Sequence, residues 1–353
     1  MTRIRWATGL TMLAAIAQAG PVSAMPTTSF VVDGAIDRPG TVTLPDLQAL
    51  PAQTVAVTYG TGRGPVSASF TGPALWSVLG QAGLTPVPGA RNSTLRDVVV
   101  ATGSDGYQAA FSGGELDPRF GGSRAPALVA YAQDGQPLGS DGFARAVVPG
   151  DAAGGRYVSN LARLDVVQAP SNPPRGGGVS ASFTLSGLVS RLGTYDAGTL
   201  AGLPATTEAV TYTAAGRPVS AAFTGVSLWT LLNAVGLMFD PVVKNAELRQ
   251  YVLATGSDGY EATFSLGELD PRFGGGGAAD LVAYAQDGQP LGADSFARLV
   301  VPGDLAGGRY VSNLVSLQIL DAAAVPEPGS LALLLAGLAG MAAVWRRAAD
   351  KAG

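Results

Sequence analysis

The chain of 353 residues contains neither cysteine nor histidine. That absence removes disulfides, thiolate nucleophiles, imidazole bases and the usual zinc ligands in one step. Charge is also sparse: 22 basic residues against 26 acidic ones leave a net charge of -4. No basic face can neutralise a phosphate backbone, so nucleic acid is excluded as a partner class. Apolar residues, by contrast, make up 47% of the chain. Two genuine cores are affordable at this length, and disorder is not expected over most of it.

Both ends carry addresses. Arg3 and Arg5, an apolar run from Trp6 to Ala17 and the small-residue site Val22-Ser23-Ala24 read as a secretory signal over residues 1–24, with a mature chain expected to start near Met25. At the other end Val325-Pro326-Glu327-Pro328 precedes an apolar stretch from Leu331 to Trp345 and the pair Arg346-Arg347. This order over 325–347 resembles the PEP-CTERM sorting tail. The resemblance implies recognition by an exosortase-type processing enzyme and transient membrane anchoring through a C-terminal helix. The alternative is a simple membrane anchor with its arginines on the cytoplasmic side. Either way the body lies outside the cytoplasm.

Shifted by 153 residues against itself, the chain places Ser29-Phe30 on Ser182-Phe183, Trp76 on Trp229, Asp105 on Asp258 and Asn160 on Asn313, without a gap. Between Val98 and Leu161 about 50 of 64 positions are identical to their partners, which marks a duplication of whole domains and not a solenoid. The repeats are expected at 29–167 and 182–320. Residues 168–178 form the linker, stiff at Pro173-Pro174 and loose at Gly176 to Gly178. Each unit is expected to fold alone, so that a Met25 to Ala169 fragment melts cooperatively.

Within a repeat, Thr54 to Tyr59 and Val66 to Phe70 alternate like strands around a glycine-rich hairpin turn. Leu75, Trp76 and Leu79, matched by Leu228, Trp229 and Leu232, recur at helical spacing up to the Gly83 or Gly236 stop. Trp76 and Trp229 are expected as core anchors. Asp97 to Thr102, Tyr107 to Phe111, Ala127 to Ala132, Arg145 to Val148 and Tyr157 to Val167 read as further strands. The expected class is α+β, dominated by strands.

Gly135 to Leu138, Ala144 to Asp151, Gly154 to Leu161 and Thr102 to Tyr107, with their copies around Arg298 to Asp304 and Gly308-Arg309, resemble the molybdopterin-binding domain of the sulfite oxidase family. That resemblance implies a molybdopterin cofactor whose metal is held by a cysteine, with a histidine and a lysine at the pterin phosphate. Here no cysteine exists, Ser140 and Ala293 stand at the histidine position, and Ser159 and Ser312 at the lysine position. Arg145 and Arg298, with Arg156 and Arg309, remain as cations able to clamp phosphate or carboxylate. The family's cofactor is loaded in the cytoplasm and such proteins leave folded through the twin-arginine route, whereas this signal has Arg3-Ile4-Arg5.

The candidate ligand contacts are therefore Arg145, Arg156, Arg298 and Arg309, with Asp105, Tyr107, Asp258 and Tyr260. The aspartates equally suit turns, as does Asp151 after Pro149-Gly150. Arg145 lies inside an apolar strand pattern and needs Asp105, Glu115, Asp151 or a bound anion to neutralise it. Glu115 and Asp117 stand too close together to flank a sugar and are expected on the surface or in a turn. No Asp-rich calcium loop is present. Two degenerate molybdopterin-binding-type domains acting as a non-catalytic binding or structural module of the cell envelope are expected, with no cofactor. The alternative is a molybdopterin-dependent oxidoreductase lacking its cysteine. Exopolysaccharide is a partner class implied only by the resemblance of the tail.

Overall fold

A computed structural model describes residues 26–322, apart from 122–124, 173, 175, 275–276 and 293–295. The signal and the sorting tail, and with them the expected membrane helix, fall outside the described residues. Among the described residues no helix is long and apolar enough to cross a membrane.

Each repeat is a strand-dominated α+β unit built on a five-stranded mixed sheet. In the first repeat its order is Gly40–Thr43, Ser29–Gly34, Leu161–Gln168, Asp97–Gly103 and Gln108–Ser112. Ser29–Gly34 and Leu161–Gln168 run parallel, and the remaining pairs are antiparallel. The second repeat uses Gly193–Asp196, Ser182–Gly187, Leu314–Asp321, Gln250–Gly256 and Glu261–Ser265 in the same order. A long hairpin, Ala52–Thr61 with Gly64–Pro73, starts a second sheet. Its alternation has a physical basis: Val57, Tyr59, Ala68 and Phe70 point into the core, while Thr54 meets Thr71 and Thr58 meets Ser67 across the outer face, both at 2.8 Å.

The helix Leu75–Ala82 buries Leu75, Val78, Leu79 and Ala82 and ends at Gly83, whose φ of 75° suits glycine. Trp76 is only partly buried at the rim of the core, and Trp229 likewise. The expectation of tryptophan anchors is thus corrected: the leucines fill the interior, and the larger indole sits at its edge. The expected strand from Tyr157 also begins later, at Leu161. A 3-10 turn at Gly154–Arg156 precedes it, and Asn160 takes φ 49°.

The repeats are not beads on a string. Asp97–Gly103 is buried on both faces: Val99 and Ala101 belong to the core of their own repeat, whereas Val98 and Val100 pack with Ala110 and Ala169 against Tyr251, Leu253 and Ala322 of the other. Leu95 and Phe120 join the core of the second repeat outright. Thr263 Oγ1 donates to the carbonyls of Leu95 (3.0 Å) and Asp97 (3.1 Å). The linker is laid along this seam. Asn172 N donates to Glu261 Oε1 at 2.7 Å, and Gly177 N to Ser257 O at 3.0 Å.

Two predictions follow from the seam. Its contacts obey the 153-residue offset in both directions, so the surface is self-complementary. A fragment spanning residues 25–169 leaves Leu95, Val98, Val100 and Phe120 bare, and it is expected to pair with a second copy of itself. Sedimentation equilibrium should return a dimer; a stably folded monomer would show that the seam is dispensable.

The second concerns Asp97, 2% exposed at the start of its strand. Burial raises its carboxyl pKa from 3.8 to about 7, against the Gln168 hydrogen bond and the Arg96 charge. A raised acid binds its proton more tightly in the folded state, so stability falls as pH rises through this window. Replacing Asp97 by Asn should flatten the fall of stability between those two pH values, as read by urea melts across pH; an unchanged slope would clear Asp97.

Candidate functional site

Two Gly-Gly-Arg turns, Gly154–Arg156 and Gly307–Arg309, sit where the repeats meet. Their glycines are dictated by the other repeat. A Cβ on Gly155 would lie 2.3 Å from Phe273 Cε1, and one on Gly308 2.1 Å from Phe120 Cε1. The phenyl rings therefore close over the turns only because no side chain intervenes. Backbone bonds complete the embrace: Ala152 N donates to Phe273 O at 2.7 Å, and Leu305 N to Phe120 O at 2.8 Å.

The arginines that close these turns are buried. Arg156 donates to Asp151 twice, at 2.9 and 2.7 Å, and to Glu115 Oε2 at 2.6 Å. Arg309 repeats this with Asp304 (2.9 and 2.7 Å) and Glu268 (2.8 Å). The carboxylates then cross the seam: Ser265 Oγ donates to Glu115 Oε1 at 2.8 Å, and Ser112 Oγ to Glu268 Oε1 at 2.7 Å. Burial opposes the charge on Arg156, but Glu115 and Asp151 outweigh it and hold the guanidinium above its ordinary pKa. Burial, reinforced by the neighbouring Glu268 charge, pushes Glu115 up against the pull of Arg156.

Beside this seam open two clefts related by the same offset. The first, about 660 Å³, is lined by Tyr59, Asp105, Tyr107, Arg145, Tyr157 and Ser159 of the first repeat and by Lys244, Asn245 and Phe273 of the second. The second, about 940 Å³, is lined by Asp258, Tyr260, Tyr310 and Ser312, with Arg91, Asn92 and Phe120 supplied by the first repeat. Each cleft is composite. In the first, Asn245 Nδ2 donates to the Tyr107 hydroxyl at 2.8 Å, and that hydroxyl donates to Gly155 O at 2.6 Å. In the second, Asn92 Nδ2 donates to Tyr260 at 3.0 Å, which donates to Gly308 O at 2.6 Å. Burial raises both phenols above the ordinary tyrosine range, so they stay protonated donors.

The expected site residues thus divide. Asp105, Tyr107 and Arg145 share the first cleft, and Asp258 and Tyr260 the second. Asp105 and Asp258 accept from Tyr107 N and Tyr260 N at 3.0 Å, which is turn chemistry within the cleft wall. Arg145 is neutralised by Asp141, at 2.6 Å, and not by Asp105, Glu115 or Asp151. Its guanidinium lies over Phe70 and Tyr157 at 5.4 and 5.7 Å. Arg298 lies over Phe223 and Tyr310 at the same two distances.

Arg156 and Arg309 lie in the seam with their donors engaged by carboxylates. Asp117 does open a turn, its carbonyl accepting from Phe120 N at 2.9 Å, although it is buried and not on the surface; Glu115 lies instead in the short helix Gly113–Leu116 and accepts from Ser265 of the other repeat. The residues supplied in trans, Lys244, Asn245, Arg91 and Asn92, escaped the sequence reading. Arg91-Asn92 and Lys244-Asn245 do match at the 153-residue offset, but nothing in one dimension assigns each pair to the opposite repeat.

The family described as oxidoreductase molybdopterin binding domain matches residues 19–174 and again 181–325. The PEP-CTERM protein-sorting motif matches residues 324–348. No curated protein matches the chain. Among solved structures, the crystal structure of the sulfane dehydrogenase SoxCD from Paracoccus pantotrophus aligns with 81% of this chain and 77% of its own, at 12% identity and a TM-score of 0.33.

The geometry sets an order of costs. Replacing Arg156 by Met strands two buried carboxylates and should cost about 3–5 kcal/mol. Replacing Arg145 by Met removes a half-exposed pair and a cation over aromatic rings, for about 1–2 kcal/mol. Chemical denaturation of both variants checks the ranking; an equal or reversed order would place the seam elsewhere.

Proposed function

We propose, from the premise that the chain belongs to the oxidoreductase molybdopterin-binding domain family through both of its repeats, that its paired domains form a non-catalytic binding or structural module. The sorting motif marks the protein as exported and surface-directed and implies exosortase-type processing. Residence in the cell envelope, transient anchoring by the tail and contact with exopolysaccharide belong to the proposal.

The composition of the clefts carries this reading. Their walls combine tyrosine, glycine, serine and asparagine with one aspartate, one phenylalanine and one or two cationic side chains in each cleft, and their volumes suit a small polar ligand. The family's cofactor does not fit that donor set. Its metal calls for a soft anionic sulfur, and the chain has no cysteine. Among the described residues no group of three or more His, Cys, Asp or Glu side chains is placed to hold a metal. The pterin phosphate would meet Arg145 already engaged by Asp141. The tyrosine hydroxyls are fixed between the Asn245 and Asn92 amides and the Gly155 and Gly308 carbonyls, so a ligand would meet a rigid polar wall with no metal-ligating sulfur.

Family membership keeps one other reading in view, a molybdopterin-dependent oxidoreductase without its cysteine. Elemental analysis of protein purified from its own envelope separates the two. The expected result is no stoichiometric molybdenum, whereas close to one metal per domain would overturn the non-catalytic reading.

A further inference from the structure

The duplication supplies an internal comparison, and the two copies part company at one loop. Met238, Phe239, Val242 and Val243 stand where the first repeat has Thr85, Pro86, Gly89 and Ala90. All four are large and exposed, at 51%, 48%, 89% and 39%. The loop is ordered to present them. Asp240 closes a local turn, its carboxylate accepting from Val242 N at 2.9 Å and its carbonyl from Val243 N at 3.3 Å. Leu192, 78% exposed where the first repeat has Pro39, lies on the adjoining segment. Ser190 N donates to Gly236 O, Met238 N to Leu188 O, and Arg191 Nε to Ala234 O. An apolar surface of this kind on an exported protein calls for a partner.

The place of the loop in the sheet identifies that partner. Gln250 pairs in register with Asp321, in the last strand before the tail, and its side-chain amide donates to Met238 O at 2.7 Å. Ser182–Gly187 runs parallel to that same last strand, so the chain reaches the Leu188 to Leu192 segment at the end of the sheet from which residue 322 departs. Eight residues, 323–330, then separate it from the apolar stretch Leu331 to Trp345. Whatever their arrangement, they reach at most roughly 28 Å. The apolar loop therefore sits at the end of the sheet from which the chain leaves toward the apolar stretch Leu331 to Trp345. Arg191 and Lys244 flank it, as cations flank an interfacial segment near anionic headgroups.

We propose that the Met238 to Val243 loop, with Leu192, inserts into the lipid interface while the tail holds the protein at the membrane. This rests on reading the tail as membrane-held before processing. Lys244, next to the loop, also lines the first cleft. Release of the tail would then leave this patch as the remaining lipid contact.

The absence of cysteine makes the test clean. Val242→Cys and, separately, Pro86→Cys give the full chain a single site for an environment-sensitive fluorophore, both at exposed positions outside the left-handed backbone region. The labelled proteins are reconstituted into vesicles of phosphatidylethanolamine and phosphatidylglycerol, with and without lipids carrying a quencher on the acyl chain. The expected result is flotation with the vesicles and several-fold stronger quenching at position 242 than at 86, abolished by adding Phe239→Asp and Val243→Asp. Flotation with equal quenching at the two positions would overturn the loop proposal and leave the tail reading standing. Failure to float would overturn both. A blue shift at 242 that ignores the lipid quencher and grows with protein density would assign the loop to a second copy, against the proposal.

Discussion

Two buried arginines, Arg156 and Arg309, are the interaction on which the rest of the structure depends. Each is caught between an aspartate and a glutamate of its own repeat, and each glutamate is completed by a serine of the other. A charge this deeply buried is tolerated only when every donor is answered. The second repeat thereby becomes part of the first one's electrostatic balance. The apolar seam of Val98, Val100, Tyr251 and Leu253 supplies the driving force. The crossed polar pairs fix the register, because a slip would strand a carboxylate without its hydroxyl.

From that seam the clefts follow. Glycines at 155 and 308 let Phe273 and Phe120 cover the turns that carry the arginines. The same approach brings Asn245 onto Tyr107 and Asn92 onto Tyr260. The positions facing the clefts are therefore assembled in trans, in the manner of an isologous dimer joined into one chain. A tandem of this kind can do what a symmetric dimer cannot: its two halves can diverge.

Divergence is visible where symmetry fails. Glu261, which pairs with Arg96 at 3.0 Å, replaces the Gln108 of the first repeat. Arg249, the counterpart of Arg96, turns to Asp321. Thr263 bonds across the seam from the position that Ala110 occupies in the other copy. The loop after the Leu228–Val235 helix has become apolar on one side only. These changes differentiate the two ends of a nearly symmetric body without disturbing its shared core.

The export signal, the duplication, the α+β class and the family were legible in the sequence, because each rests on local order: charge beside an apolar run, identity at a fixed offset, alternation of period two. The sequence named Asp105, Tyr107 and Arg145 together with Arg156, Arg298, Arg309, Asp258 and Tyr260, without dividing them between two clefts and a seam. It did not reveal that Arg145 answers to Asp141, that Arg156 belongs to the seam, or that Lys244 and Asn245 complete the cleft of the opposite repeat. Asp141 is only four positions from Arg145, but the seam and the cleft depend on contacts such as Ser265 with Glu115 and Asn245 with Tyr107, 150 and 138 positions apart. No propensity or periodicity encodes such pairs. They arise only when the two halves close on each other and burial forces each charge to find its partner.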